Sequence, residues 1–173
     1  MAADPATGSK TDGSAAAVFP RHEQTFPTLT PQEIARMRRF GELRHYKDGD
    51  VLFETGKPGP GMFVILSGHV AITQRDGFGH VTPVIEQGPG QFLAEIGQLS
   101  GRVALVDGHA EGDVETLLIP PERLRALLVA EADLGERIMR ALILRRVSLI
   151  QADRKSTRLN SSHSLPSRMP SSA

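Results

Sequence analysis

The 173-residue chain has no cysteine and no tryptophan, and its only aromatics are seven Phe and one Tyr. Without cysteine there is no disulfide framework, no zinc ribbon, no thiol nucleophile and no redox CxxC pair. Net charge is also lacking: 20 Lys+Arg balance 20 Asp+Glu. That argues against a protein that grips nucleic acid by neutralising phosphates over a broad basic face. No apolar run approaches the ~20 residues of a membrane-spanning helix. The opening MAADPATGSKTDGSAAAVFP lacks the basic start and apolar stretch of a secretory signal. The chain reads as a cytoplasmic globular protein without membrane contact. Seventeen Gly and 12 Pro are what it has in plenty, and they punctuate its middle.

The ends differ from that middle. Residues 1–25 are rich in Ala, Gly, Ser, Pro and Asp without an apolar period, and predict a disordered tail. Residues 153–173, DRKSTRLNSSHSLPSRMPSSA, are Ser-rich and patternless. Back-translated, DRKSTRLNSSH permits the codons of a common sequencing-library adapter. SRMPSSA permits its second constant segment in the same frame. The stretch therefore resembles a translated adapter: a non-native, disordered tail on a gene interrupted near Ala152, with a following effector domain lost. With its four basic residues and one acidic residue set aside, 16 basic residues face 19 acidic ones. That balance again predicts no nucleic-acid contact by these residues.

Between the tails, residues 26–152 predict one domain. Thr30-Pro31-Gln32-Glu33 forms a capping box with proline at the first helical position, and Leu29 and Ile34 are spaced as a hydrophobic staple. That helix should run to about Phe40 and stop at Gly41. The apolar period then falls to about two. Short runs occur at 43–46, 51–54, 62–66, 69–74, 81–86, 102–110 and 114–119, separated by KDGD, TGKPGPG, LSGH, RDGFGH, EQGPGQ and AEGD. Seven or eight strands with Gly/Pro/Asp turns predict a mainly β fold, an antiparallel roll or jelly roll. Pro83 marks an edge strand. After Pro120-Pro121 two helices are expected, at 122–130 and 133–150. The second should be capped by Asp133-x-x-Glu136, with Leu134, Ile138, Leu142 and Leu149 as its buried stripe and Arg137, Arg140, Arg145 and Arg146 on a solvated or docking face.

Chemistry concentrates in GPGQFLAEIGQLSGRVALVDGHA, residues 88–110. Glu95 and Arg102 lie seven residues apart across a glycine-spaced turn (Gly97, Ser100, Gly101). A guanidinium fork and successive turn amides suit phosphate oxygens, and a carboxylate suits sugar hydroxyls. The pattern fits a ligand that is anionic at one end and hydroxylated beside it. An ordinary surface ion pair, worth under about 1 kcal/mol, would use the same two residues. The single histidines His45, His69, His80 and His109 show no H-x-H metal pattern of a cupin, and no G-x-S-x-G nucleophile occurs. The residues present therefore suggest no catalytic site and no metal.

The order of elements, with KDGDVLFETG, GMFVILSGHVAI and GQFLAEIGQLSGRVALV, resembles the cyclic nucleotide-binding domain. This is the sensor β-roll of catabolite activator-like regulators, kinase regulatory subunits and gated channels. The resemblance covers residues 26–150. It implies cyclic AMP or cyclic GMP as ligand and a phosphate-binding cassette at 94–104. Within that cassette it implies Glu95 on the ribose 2′-hydroxyl, Arg102 on the cyclic phosphate and the Ala104 amide beside it. The helix at 133–150 would cover the base, relay binding, and could join two copies in a homodimer. Ala94 stands where the family has Gly, Val103 where it has Ser or Thr, and the Glu-to-Arg interval is shorter than usual. One lost hydroxyl contact is worth roughly 1.5–3 kcal/mol, about ten- to a hundredfold in affinity. FLAEIGQLSGR, LLIPPERLRALL and LGERIMRALILRR are further similar to the N-terminal domain of thioredoxin reductase-like flavoproteins. That likeness implies a full-length disulfide oxidoreductase whose FAD and NADPH domains follow. A helix-turn-helix after the long helix would instead imply a transcription regulator, and a degenerate roll would be a scaffold only.

Overall fold

The computed structural model describes Phe19, residues 21–94 and residues 99–161. Helix α1 (His22–Thr25) and helix α2 (Pro31–Met37) precede a single 3-10 turn, Arg38–Phe40. The strands follow: β1 (Glu42–Tyr46), β2 (Val51–Phe53), β3 (Met62–Arg75), β4 (Val81–Gln87), β5 (Phe92–Leu93) and β6 (Asp107–Ile119). Helices α3 (Pro121–Ala130) and α4 (Ala132–Ser161) close the chain. All strand pairs are antiparallel, in the order β1-β6-β3-β4, with β2 added to β6 and β5 to β3. This is a six-stranded antiparallel roll with helices at both ends, as the turn-punctuated pattern predicts. No helix of the described residues is long and apolar enough to cross a membrane.

The start of α2 follows its sequence. Thr30 sits in extended conformation as N-cap and its hydroxyl accepts from the Glu33 amide at 3.2 Å. The Glu33 carboxylate does not turn back to complete the box; it pairs with Arg137 of α4 at 2.8 Å. Pro83 lies on β4 at the sheet edge, beside a register shift in the β3–β4 ladder.

Among the described residues the seven runs become five strands, because two glycines expected in turns lie inside strands, and Phe92–Leu93 (β5), absent from those runs, adds a sixth. Gly68, at φ +84°, belongs to the continuous 14-residue β3. Gly112, at φ +68°, lies within the 13-residue β6. The register jumps from Ser67↔Glu115 to His69↔Glu111, so residues 112–114 of β6 bulge past Gly68. A Cβ on Gly68 would stand 2.3 Å from the Asp113 carbonyl oxygen. Bulges of this kind bend a strand without ending it, which lets two long strands curl into a roll. The 102–110 run shortens to a strand starting at Asp107. Residues 103 and 104 make only isolated bridges, to Pro58 and Thr55.

The apolar run MFVIL of β3 is buried on both faces. Phe63 and Ile65 enter the roll interior with Leu93, Val114 and Leu118. Met62 and Val64 face a second cluster with Leu117, Leu124, Leu134 and Ile138. The roll therefore has one core inside the curl and one between sheet and helices. Helix α4 reaches both, the second through Ile138 and Leu142 and the first through Leu149.

Three boundaries differ from the sequence reading. Phe19 is 2% exposed and packs edge-to-face on Phe26, with ring centroids 4.9 Å apart, and Thr25 is fully buried. The packed domain thus reaches back into the segment expected as tail, because two phenylalanines supply apolar area its composition conceals. Helix α4 begins at Ala132, so Asp133 lies inside the first turn, and Glu136 pairs with Arg140 at 2.6 Å; the expected Asp133 box is not formed. Helix α4 also continues through Ala152 to Ser161, into the segment expected to be disordered. A nucleated helix adds residues at little cost, and no proline interrupts before Pro166.

Candidate functional site

The segment carrying the predicted ligand groups leaves the roll at the end of β5. Ala94, 8% exposed, is the last described residue of that run. Glu95, the expected ribose partner, lies outside the described residues. The chain continues with a helical turn at Leu99–Ser100 and a left-handed Gly101 at φ +71°, a conformation that suits glycine. The turn is tied to helix α3 by Arg125, whose guanidinium donates to the Leu99 carbonyl at 2.6 Å.

Arg102 follows on the surface, exposed, and among the described residues it has no hydrogen-bond or ion-pair partner. Val103 beside it is 43% exposed. Ala104 is 2% exposed and clamped from both sides: its amide donates to the Lys57 carbonyl at 3.0 Å, and its carbonyl accepts from Gly56 at 2.9 Å. The loop between β2 and β3 is held in turn by Asp107, whose carboxylate accepts from the Thr55 amide at 2.7 Å. Backbone pairing thus fixes the position from which Arg102 projects, while its guanidinium engages no other described residue. The Ala104 amide is occupied by Lys57 in this arrangement.

An interior cavity of about 40 Å³ lies on the other side of Ala94. Its walls are mainly apolar, including Phe19, Phe26, Phe53, Ile72 and Leu149, and its polar groups come from Gln87 and Arg145. At roughly 10–15 Å³ per water it holds about three waters.

Arg145 is the residue the sequence reading misplaced. It was expected on a solvated face of α4, yet it is 6% exposed. Its Nε donates to the Thr25 carbonyl at 2.9 Å and its Nη1 to the Phe92 carbonyl at 2.8 Å. The guanidinium is sandwiched between the rings of Phe26 (4.7 Å) and Phe92 (4.6 Å). Its Nη2 is buried without a partner. Burial pulls its pKa down to about 9, still above neutrality, so the group is a cation at pH 7. The signal was present in the spacing: 138, 142, 145 and 149 step by four, three and four, which puts Arg145 in the apolar stripe. Arg137 and Arg140 do lie outward, paired with Glu33 and Glu136.

Residues 43–131, just over half of the chain, match the family model described as the cyclic nucleotide-binding domain. No curated protein sequence matches the chain. Among solved structures, the Thermus thermophilus catabolite activator protein is similar at a TM-score of 0.63 and 25% identity, over 79% of this chain and 63% of that one. The chain thus spans less than two thirds of that protein. A protein solved within work on a cyclic-GMP-dependent signalling pathway that regulates bacterial phytopathogenesis aligns at a TM-score of 0.57. It is 26% identical, over 69% of this chain and 95% of that one. The cyclic di-GMP-responsive global regulator CLP of Xanthomonas campestris shares the fold at a TM-score of 0.57 and 21% identity, over 79% and 74% of the two chains.

Proposed function

The chain belongs to the cyclic nucleotide-binding domain family, a family of regulatory sensors rather than enzymes, and from that premise we propose that it binds a cyclic nucleoside monophosphate through the phosphate-binding cassette, residues 94–104. The observation that carries this reading is Arg102: a guanidinium without a partner among the described residues, projecting from a backbone position pinned by the Gly56–Ala104 and Ala104–Lys57 hydrogen bonds. An unengaged fork can take two phosphate oxygens at once without first breaking an ion pair. Glu95 is assigned to the ribose hydroxyl from the sequence pattern. Ala94 closes the inner wall, Val103 contributes a methyl surface where a hydroxyl would donate, and the Ala104 amide reaches a phosphate only by releasing Lys57.

Cyclic AMP or cyclic GMP at a hundred times its Kd should stabilise the chain by about 2.7 kcal/mol, roughly 5–10 °C in melting temperature. Differential scanning fluorimetry checks this. An unchanged transition at millimolar nucleotide would remove the proposal.

The effector is read from two likenesses. The cassette and long-helix segments favour a thioredoxin reductase-like flavoprotein using FAD and NADPH, in the cytoplasm. The similar Thermus thermophilus structure favours a transcription regulator. The first would require a CxxC and a G-x-G-x-x-G in the same protein, the second a helix-turn-helix. Either parent gains from pairing through α4. Ile143, Val147 and Ile150 are 47%, 47% and 38% exposed at i, i+4 and i+7, an apolar stripe parallel to the buried one. Val147→Glu should therefore convert a dimer to a monomer in light scattering without lowering the melting temperature of the monomeric fold. An unchanged mass would assign the stripe no role in association.

A further inference from the structure

The stretch that carries Arg102, residues 102–106, belongs to no strand and is fastened through the isolated bridges Thr55↔Ala104 and Pro58↔Val103. The segment on the other side of those bridges, residues 54–58, is irregular as well. Its Gly56 is left-handed at φ +82°, with nothing within 4 Å of where a Cβ would stand. Two irregular segments bonded to each other do not hold a side chain at a fixed place; one of them has to be tied to the sheet. Asp107, the first residue of β6, makes that tie: its Oδ1 accepts from the Thr55 amide at 2.7 Å.

The placement of Asp107 is an expensive one. It is 1% exposed and faces Thr73 across the β3–β6 ladder. Its Oδ2 is buried without a hydrogen-bond partner, and the cation beside it, the half-exposed Arg75, stands off at 3.5 Å. A buried carboxylate so incompletely matched costs stability, and an apolar side chain of similar volume would fill the same place without that cost. What an apolar residue cannot supply is the bond to Thr55, which is charge-assisted and about twice as strong as a neutral one. From Thr55 the connection continues along the backbone. Gly56 donates to the Ala104 carbonyl at 2.9 Å, and the Lys57 carbonyl accepts from the Ala104 amide at 3.0 Å. Ala104 is two residues from Arg102.

We propose that Asp107 is a positioning residue for Arg102: its carboxylate fixes the 54–58 loop, and the loop fixes the place from which the guanidinium meets the cyclic phosphate. The assignment rests on the cyclic-nucleotide reading given above. Asp107 acts through Thr55, Gly56 and Ala104, not by contact with the ligand. Its effect is on affinity, because a loop ordered before binding does not have to be ordered by it.

The test pairs Asp107→Leu, which fills the space but accepts no hydrogen bond, with Asp107→Asn, which keeps an acceptor without the charge. Affinities for cyclic AMP and cyclic GMP are measured by calorimetry well below each melting transition, and amide hydrogen exchange is followed in the nucleotide-free chains. Asp107→Leu is expected to bind roughly tenfold more weakly or worse, with the Gly56 and Ala104 amides exchanging roughly tenfold faster and those of the β1–β6 ladder unchanged. Asp107→Asn should fall between Asp107→Leu and the wild type in both readouts. A residue that only packs would lower the melting temperature and move neither. Wild-type affinity in Asp107→Leu therefore overturns the proposal, as does wild-type exchange at Gly56 and Ala104. Should Asp107→Leu lack a cooperative transition, Asp107→Asn decides, and its identity with the wild type in both readouts is the contrary result. A wild-type chain that binds neither nucleotide removes the cyclic-nucleotide reading and this assignment together, whereas a binding wild type with an equally tight Asp107→Leu removes the assignment alone.

Discussion

Replacing Arg102 with lysine is expected to weaken cyclic-nucleotide binding roughly ten- to a hundredfold, about 1.4–2.7 kcal/mol, while leaving the unliganded chain as stable as before. The two halves of this expectation rest on the same observation. Arg102 is exposed and engages no described group, and surface substitutions of that kind usually change stability by no more than about 0.5 kcal/mol. Lysine keeps the charge but presents a point donor where arginine presents a planar fork, so the second parallel hydrogen bond to the phosphate is lost. The neighbouring Val103 supplies no hydroxyl to compensate. Titration calorimetry on both proteins, with their melting curves, reads the two quantities together. Equal affinities would strip Arg102 of its role. A matched fall in stability would show it to be structural.

The largest stability effect is expected at Gly61. Its φ of +142° lies in a region open only to glycine, and a Cβ there would stand 2.1 Å from the Ile119 carbonyl oxygen. That contact is backbone against backbone, where the chain enters β3 beside the end of β6, so no side chain can swing aside. Gly61→Ala should cost more than about 3 kcal/mol, roughly 6–12 °C in melting temperature. Gly49 is the internal control. It has φ +82° and nothing within 4 Å of its missing Cβ, so Gly49→Ala carries only the left-handed penalty of about 1–2 kcal/mol. Denaturant titration of the two variants distinguishes steric from conformational cost. Similar losses would mean that the close approach at Gly61 relaxes freely.

Those two glycines also show what the sequence disclosed. Turn chemistry at Gly49, the edge proline and the Thr30 cap were legible because each depends on neighbours in the chain. Gly68 and Gly112 looked the same in sequence as turn glycines but allow strands to bend past each other, which only the partner strand reveals. The buried Leu134, Ile138, Leu142 and Leu149 followed from periodicity. The same periodicity placed Arg145 among them, and its charge masked the signal, because two carbonyls and two rings far away in sequence hold the guanidinium inside. Phe19 was hidden by the composition around it. Of the ligand groups, the surface position of Arg102 and the burial of Ala94 and Ala104 are described, whereas Glu95 lies outside the described residues.

The most direct measurement is an experimental structure of the chain with cyclic AMP or cyclic GMP bound. The account predicts two cyclic-phosphate oxygens at about 2.7–2.9 Å from the Arg102 guanidinium nitrogens. A phosphodiester seated on Arg145, or turned away from Arg102 toward solvent, would contradict it.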